Sequence, residues 1–241
     1  MKVLALDSSG LVASVALVED DNLIGEYTVN YKKTHSQTLL PMLDAVASMV
    51  ELDLKTVDAI AVAKGPGSFT GLRIGSATAK GLGLVLEVPL VEVPTVDALA
   101  YNLWGAATLV CPVMDARRNQ TYTGIYAFED GSMQTVEPQC AVDIGRIAEK
   151  LNGLGRAVTF LGDGVAVFRE YLEAHLRVPC LFAPAHLNKQ RAGAVAALAG
   201  VYLKRGITVS AQDHRPDYLR LSQAEREQQE KEKRLPGDAG V

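Results

Sequence analysis

The order of elements along this chain repeats, and that repeat constrains the fold more than any single motif does. Val3–Leu6, Val12–Val18 and Leu23–Val29 are apolar runs that read as three strands, broken by the polar clusters Asp7-Ser8-Ser9-Gly10 and Asp20-Asp21-Asn22. A helix from about Ser36 follows, with Leu39, Met42, Leu43, Val46 and Val50 at helical spacing and Leu40 and Met49 widening the apolar face. Its start is ambiguous: Thr34 with Gln37 resembles a capping box, whereas Pro41 sits best in a first turn. A strand at Val57–Ala63, a helix at about Thr70–Leu86, a strand at Leu90–Val93 and a helix at Val96–Trp104 complete a β-β-β-α-β-α-β-α series. The series then recurs. Leu109–Met114, Thr121–Phe128 and Met133–Glu137 read as strands, followed by a helix near Asp143–Asn152, a strand at Ala157–Leu161 and a helix near Val165–His175. A strand at Cys180–Phe182 and a helix at Lys189–Lys204 close it. Each copy predicts a mixed sheet with helices on both faces, and two copies predict two lobes with a cleft between them.

The densest local signal is Lys64-Gly65-Pro66-Gly67-Ser68-Phe69-Thr70-Gly71-Leu72-Arg73-Ile74-Gly75, which links an apolar strand to a helix crowded with small residues. Gly65 and Gly67 are free to take positive φ, Pro66 fixes its own, and Ser68 or Thr70 is placed to cap the helix. A helix N-terminus beside such a loop suits an anion, but the spacing is not that of a P-loop. The other reading is a tight turn that lets the helix pack closely on its sheet, and this is the favoured expectation.

With 241 residues, 48% hydrophobic and 22% charged, the chain is long enough for two modest cores and has the composition of a soluble globular protein. A net charge of −4 argues against nucleic-acid binding by the whole surface and leaves room for a local basic patch. Cys111, Cys140 and Cys180 are too scattered for a disulfide framework or a zinc site. Met1-Lys2 leads straight into an apolar strand, without signal-peptide organisation, and no apolar run has the length of a membrane span. A reducing cytoplasm is the expected compartment.

Several strings, in order from residue 2 to about 220, together resemble the bacterial TsaB (YeaZ) family. They are Asp7-Ser8-Ser9, Thr34-His35-Ser36 with Leu39-Leu40-Pro41, the Lys64–Gly75 run, Asp115-Ala116-Arg117-Arg118 and Arg215-Pro216-Asp217-Tyr218-Leu219-Arg220. The resemblance implies an α/β, duplicated actin/Hsp70/hexokinase-like (ASKHA, RNase H-like) fold with two βββαβαβα lobes. The expected division is an N-terminal lobe at 1–107 carrying partner-binding helices, a C-terminal lobe at 108–221, and a charged tail at 222–241 that reads as frayed or disordered. It further implies a non-catalytic subunit that pairs with TsaD, together with the ATPase TsaE, in forming N6-threonylcarbamoyladenosine at position 37 of tRNAs reading ANN codons. Such a chain forms a homodimer when TsaD is absent, reaches tRNA through the complex, requires no cofactor and has no membrane role.

The metal-binding paralogue uses a His-x-x-x-His pair, but here Leu39 stands four positions after His35, and His175, His186 and His214 have no partner at that spacing. Active members of the superfold place acids at the ends of the first strand of each lobe near Mg²⁺. Asp7, Ser8, Ser9, Asp115, Gly162 and Gly164 are therefore candidates for a vestigial nucleotide site, with weak ATP or ADP binding. The competing reading is that each Asp caps its own turn. A self-sufficient ATP-dependent enzyme is the alternative function. The resemblance assigns the TsaD face to the first-lobe helices, with Leu39, Leu40, Leu43, Arg73, Ser76, Ala77 and Lys80 as its residues. Arg117 and Arg118 read as either phosphate contacts or ion-pair partners, the latter favoured.

Overall fold

The strands alternate two kinds of side chain, and that alternation builds the layers. A computed structural model of the protein describes residues 1–219. The tail expected at 222–241 lies outside the described residues, as do Arg220 and Leu221. Strands β1 (Lys2–Asp7), β2 (Val12–Glu19), β3 (Asn22–Asn30), β4 (Ala59–Gly65) and β5 (Leu90–Pro94) form one sheet in the order β3-β2-β1-β4-β5. β1, β2 and β3 pair antiparallel, and β1, β4 and β5 pair parallel. Strands β6 (Leu109–Asp115), β7 (Gln120–Glu129), β8 (Ser132–Asp143), β9 (Val158–Leu161) and β10 (Cys180–Phe182) form a second sheet in the order β8-β7-β6-β9-β10, with the same pairing senses. The duplicated topology is that of the actin/Hsp70/hexokinase-type (ASKHA) fold.

On the first sheet Leu4, Leu6, Val15, Leu17, Ile60 and Val62 point outward against α1 (His35–Met49) and α2 (Phe69–Leu86). Between them on the opposite face lie small residues: Ala5, Ala16, Ala59, Ala61 and Ala63. These meet α6 (Ala192–Lys204), itself carrying Ala192, Val195, Ala196 and Ala199, so helix and sheet approach closely. The second sheet repeats the arrangement. α4 (Ile144–Leu154) and α5 (Val165–His175) cover its outer face, and α3 (Thr95–Tyr101) packs Val96, Leu99 and Ala100 on Val110, Met114 and Tyr126. Helices α3 and α6 thus form a central layer between the sheets.

Chain order puts α6 in the 108–221 unit, yet its apolar face is buried on the first sheet. The physical cause is visible at its start, where Ser14 Oγ accepts from Ala192 N–H at 2.8 Å and Glu26 Oε1 accepts from Gly193 N–H at 2.9 Å. Glu26 also pairs with Arg191. Side chains of β2 and β3 therefore satisfy helix-end donors that α6's own sequence leaves open.

Some boundaries moved for local reasons. Strand β4 starts at Ala59 rather than Val57, because Leu54–Thr56 forms a 3₁₀ turn capped by Asp53. Strand β8 runs to Asp143 past Pro138. It is an edge strand, and its register with β7 shifts at that point, so the missing N–H breaks no ladder. Helix α1 starts at His35 and keeps Pro41 inside, on its exposed side. Among the described residues no helix is long and apolar enough to cross a membrane.

Candidate inter-lobe cleft and partner face

Two equivalent turns, one from each sheet, meet between the lobes. The turn after β1 and the end of β6 line a cleft of about 490 Å³, with the starts of α1 and α2 forming another wall. The two strand-end acids have different surroundings. Asp7 is 1% exposed, and its Oδ1 accepts from the Ser9 N–H at 2.9 Å and the Ser9 hydroxyl at 2.6 Å. Burial pushes its carboxyl above the usual range, against the pull of those two bonds. Asp7 closes its own turn and is not part of the cleft lining. Asp115 is in the lining, where it accepts from the Arg117 N–H at 2.8 Å and pairs with the Arg117 guanidinium at 3.4 Å. Asp163, also in the lining, accepts from the Asp115 N–H at 3.4 Å, and burial pushes its carboxyl up.

The glycine run resolves in favour of close packing. A Cβ on Gly67 would fall inside the Ser9 carbonyl oxygen, and one on Gly71 inside that of Ser8. Ser68 N–H donates to the Ser9 carbonyl at 2.6 Å, and Ser8 Oγ donates to the Gly71 carbonyl at 2.8 Å. Ser68, rather than Thr70, caps α2, accepting from Gly71 N–H at 3.3 Å. The Asp7–Gly10 turn thus occupies the space beside this helix terminus. Gly162 (φ +109°) and Gly164 do the same work in the second lobe, since a Cβ on either would strike the backbone of Val113 on β6. Of the six nucleotide-site candidates, the structure brings Asp115 to the cleft, and Ser9 to its floor with the side chain fully buried and its hydroxyl bonded to Asp7. It buries Asp7 and Ser8, and assigns Gly162 and Gly164 to backbone packing. Among the described residues no three His, Cys, Asp or Glu side chains gather as a metal-ligand group.

The face assigned to a partner divides in the same way. Leu39 (1% exposed), Leu43 (7%) and Ser76 (5%) are buried, which corrects their assignment: the first two fill the core beneath α1, and Ser76 faces inward. Lys80 is half-buried and donates to the carbonyls of Gln212 and His214, tying down the chain after α6. Leu40, Arg73 and Ala77 are exposed. Gly81, Leu84 and Val85 continue the exposed stripe of Arg73 and Ala77 on α2, an uncovered face of apolar and small residues, whereas exposed Met49 lies half a turn round α1 from Leu40.

This geometry can be set beside known proteins. The chain is 33% identical over 225 residues to the tRNA threonylcarbamoyladenosine biosynthesis protein TsaB of Bacillus subtilis, covering 93% of this chain and 96% of that protein. It belongs to the TsaB (YeaZ) family. The TsaB of Escherichia coli is 31% identical over 167 residues, 68% of this chain and 72% of that one. The family model described as "TsaD: tRNA N6-adenosine threonylcarbamoyltransferase" matches residues 22–228. Among solved structures, YeaZ from Pseudomonas aeruginosa superposes with a TM-score of 0.78 at 30% identity, covering 90% of this chain and 99% of that one.

The segment after α6 in this TsaB-family chain carries the Arg215–Arg220 string of the family resemblance. Residues 207–219 return along the first lobe as a strap. Val209 pairs with Leu90 through two 2.9 Å backbone bonds, and Asp217 N–H donates to the Lys64 carbonyl at 2.7 Å. His214, fully buried, bridges Glu92 Oε1 (2.7 Å from Nδ1) and Ser76 Oγ (2.8 Å from Nε2). Burial lowers the His214 pKa despite the Glu92 carboxylate. Burial also acts to raise that of Glu92, but the His214 bond, Lys64 and the Arg215 N–H together hold it below the usual range. A neutral imidazole donating from Nδ1 to Glu92 and accepting from Ser76 satisfies both observations. Tyr218 then stacks on Phe69 at 4.8 Å, with Arg73 over that ring at 4.1 Å, so the strap supplies part of the cleft wall. No local pattern marks these partners, since Ser76 and His214 are 138 positions apart.

Proposed function

We propose that this chain is an accessory subunit of threonylcarbamoyl transfer to adenosine 37 of ANN-decoding tRNAs, pairing with TsaD and working with TsaE. Membership of the TsaB family supports the pathway. The observation that carries the partner role is the uncovered α2 stripe beside α1, on which Leu84 is 54% and Val85 82% exposed, with Leu40 of α1 56% exposed. Small residues between them, Ala77 and Gly81, leave room for another helix to approach. The same face serves a homodimer when TsaD is absent, and the chain requires no cofactor of its own.

The test is threonylcarbamoyl transfer in a reconstituted mixture of TsaC, TsaD and TsaE, with and without this chain. Modification that requires the chain, with none from the chain alone, is the expected result; full modification without it would overturn the reading. Leu40→Asp and Ala77→Asp should each abolish co-elution with TsaD while leaving the unfolding transition in place, because neither side chain is part of the core. A second reading, ATP-dependent chemistry with weak ATP or ADP binding, draws on Asp115 and Asp163 in the cleft lining. ATP turnover by the isolated chain that is lost in Asp115→Asn would favour it.

A further inference from the structure

We propose that the rim of the cleft contacts the phosphodiester backbone of the tRNA directly, through Lys32 and Lys33 of the first lobe and Arg118 of the second; this rests on the tRNA-modification reading above. The chain as a whole is acidic, with net charge −4, so a cluster of exposed cations stands out against its surroundings. Lys32 and Lys33 occupy the loop between β3 and α1, and Arg117 and Arg118 the turn between β6 and β7, all four exposed. The loops approach each other across the lobes. Asn30, two residues before Lys32, lines a cavity of about 290 Å³ with Arg117 and Lys189. His35, two residues after Lys33, shares the larger cleft with Arg117.

The acids at this mouth are already engaged. Asp115 is paired with Arg117 at 3.4 Å, and Asp163 accepts from the Asp115 N–H. Lys32, Lys33 and Arg118 form no ion pair with a carboxylate of the described residues. None of the three lines either cavity. They stand on the rim, an arrangement suited to an extended polyanion crossing both lobes and not to a compact nucleotide held inside. Tyr31, 69% exposed beside Lys32, adds a ring on which a base can stack. The turn carrying Arg118 is held in an unusual state, with Arg117, Arg118 and Asn119 at φ of +66°, +56° and +58°. The position also suits the assembly, because α1 begins two residues after Lys33, at the cleft end of the proposed TsaD face.

The experiment is tRNA binding by the complex of this chain with TsaD, measured by fluorescence anisotropy across 50–300 mM salt, alongside threonylcarbamoyl transfer. Variants are Arg118→Ala, Lys32→Ala with Lys33→Ala, and the triple; Lys55→Ala, remote from the rim, is the control. A phosphate contact contributes a slope of about 0.7–0.9 in log K against log salt, so each charge removed should weaken binding roughly fivefold at 0.15 M and the triple roughly a hundredfold. KM for tRNA should rise in step, with co-elution with TsaD and the control variant unchanged. Wild-type affinity and an unaltered salt slope in the triple variant would overturn the proposal. So would a loss confined to ADP binding, which would assign the cations to a free nucleotide. Such failures leave the subunit role standing if wild-type chain is still required for modification, whereas a reaction indifferent to the wild-type chain would remove that role itself.

Discussion

His214→Ala tests whether the strap is part of the first lobe's stability. The imidazole is fully buried and makes two side-chain bonds, at 2.7 Å to Glu92 and 2.8 Å to Ser76. Losing a hydrogen bond to a charged group costs roughly 1.5–3 kcal/mol, and leaving a buried hydroxyl unpaired roughly 1–3. Glu92 keeps contact with Lys64 at 3.4 Å and is 19% exposed, and Ser76 has a helix carbonyl one turn back to turn to, so the lower end of each range applies. Adding the cavity left by the ring, the expected loss is about 3 kcal/mol, a large share of the roughly 5–15 kcal/mol typical of a folded protein. Urea unfolding at pH 7.5 of wild type, His214→Ala, Ser76→Ala and the double variant measures it. The two changes should be non-additive by more than about 0.5 kcal/mol, because they share one bond. The pH dependence adds a second readout. Burial lowers the folded-state pKa of His214 below the ordinary histidine value of 6.5, so the unfolded chain binds the extra proton first. Stability is therefore full above about pH 6.5 and falls as the solution is acidified through that window. His214→Ala removes that component and also takes from Glu92 the hydrogen bond that does most to lower its pKa, so the further loss of stability below about pH 4.5 should weaken as well. A loss under 1 kcal/mol, strict additivity with Ser76→Ala, or an unchanged acid profile would refute the clasp.

Two further expectations follow from the glycine loop and its neighbour. Gly71→Ala and Gly81→Ala, made in the same helix, should act in opposite senses. The first drives a Cβ into the Ser8 carbonyl and should cost about 2–3 kcal/mol, whereas the second meets nothing within 4 Å and should stabilise by about 0.5–1 kcal/mol, read as shifts in melting temperature. A neutral Gly71→Ala would mean the glycine is kept for something other than packing. Asp7→Asn should raise the urea midpoint at pH 7.5, with the gain shrinking toward pH 4. A carboxyl whose folded pKa is raised by burial stabilises the fold only while protonated, and that contribution is lost as pH rises above the ordinary aspartate value of 3.8. A lower midpoint at pH 7.5 would show that the buried anion itself is needed.

The fold was legible because its signals are periodic and local. Leu4 and Leu6 alternate with Val3 and Ala5, and Leu39, Met42, Leu43 and Val46 recur at helical spacing; both patterns follow from burial on a known period. The order of elements then dictates the sheets, since a meander pairs antiparallel and each helical crossover returns parallel. What escaped the sequence depends on contacts across long separations. Apolar spacing alone places Leu39 and Leu40 on one stripe, and only the packed sheet reveals that Leu39 is core and Leu40 surface. Likewise the positions Ala77, Gly81, Leu84 and Val85 form a single helix stripe, readable in principle, but their small residues resemble those of the inward positions Gly75 and Ala79. The destination of α6 is set by Ser14 and Glu26, far upstream of it, and so has no local signature.

Comparison of the two copies explains why the cleft is lopsided. Both sheets end their first strand in an acid, and both follow it with a hairpin, yet only the second-lobe acid lines the cleft. In the first lobe Ser9 folds back on Asp7, and the carbonyls of Ser8 and Ser9 press against Gly71 and Gly67. That contact anchors the start of α2 to the end of β1. The helix that bears Arg73, Ala77 and Val85 outward is thus fixed from behind by the turn that, in a nucleotide-binding lobe, would face phosphate. The strap reinforces the same helix along its middle, through Lys80 and through His214 on Ser76. In the second lobe the equivalent loop stays open, Asp115 turns to Arg117, and the strained turn beyond it holds Arg118 at the rim. On the function proposed above, one arrangement used twice would separate two tasks: the first copy stiffens the face offered to a protein partner, and the second presents charge at the mouth between the lobes.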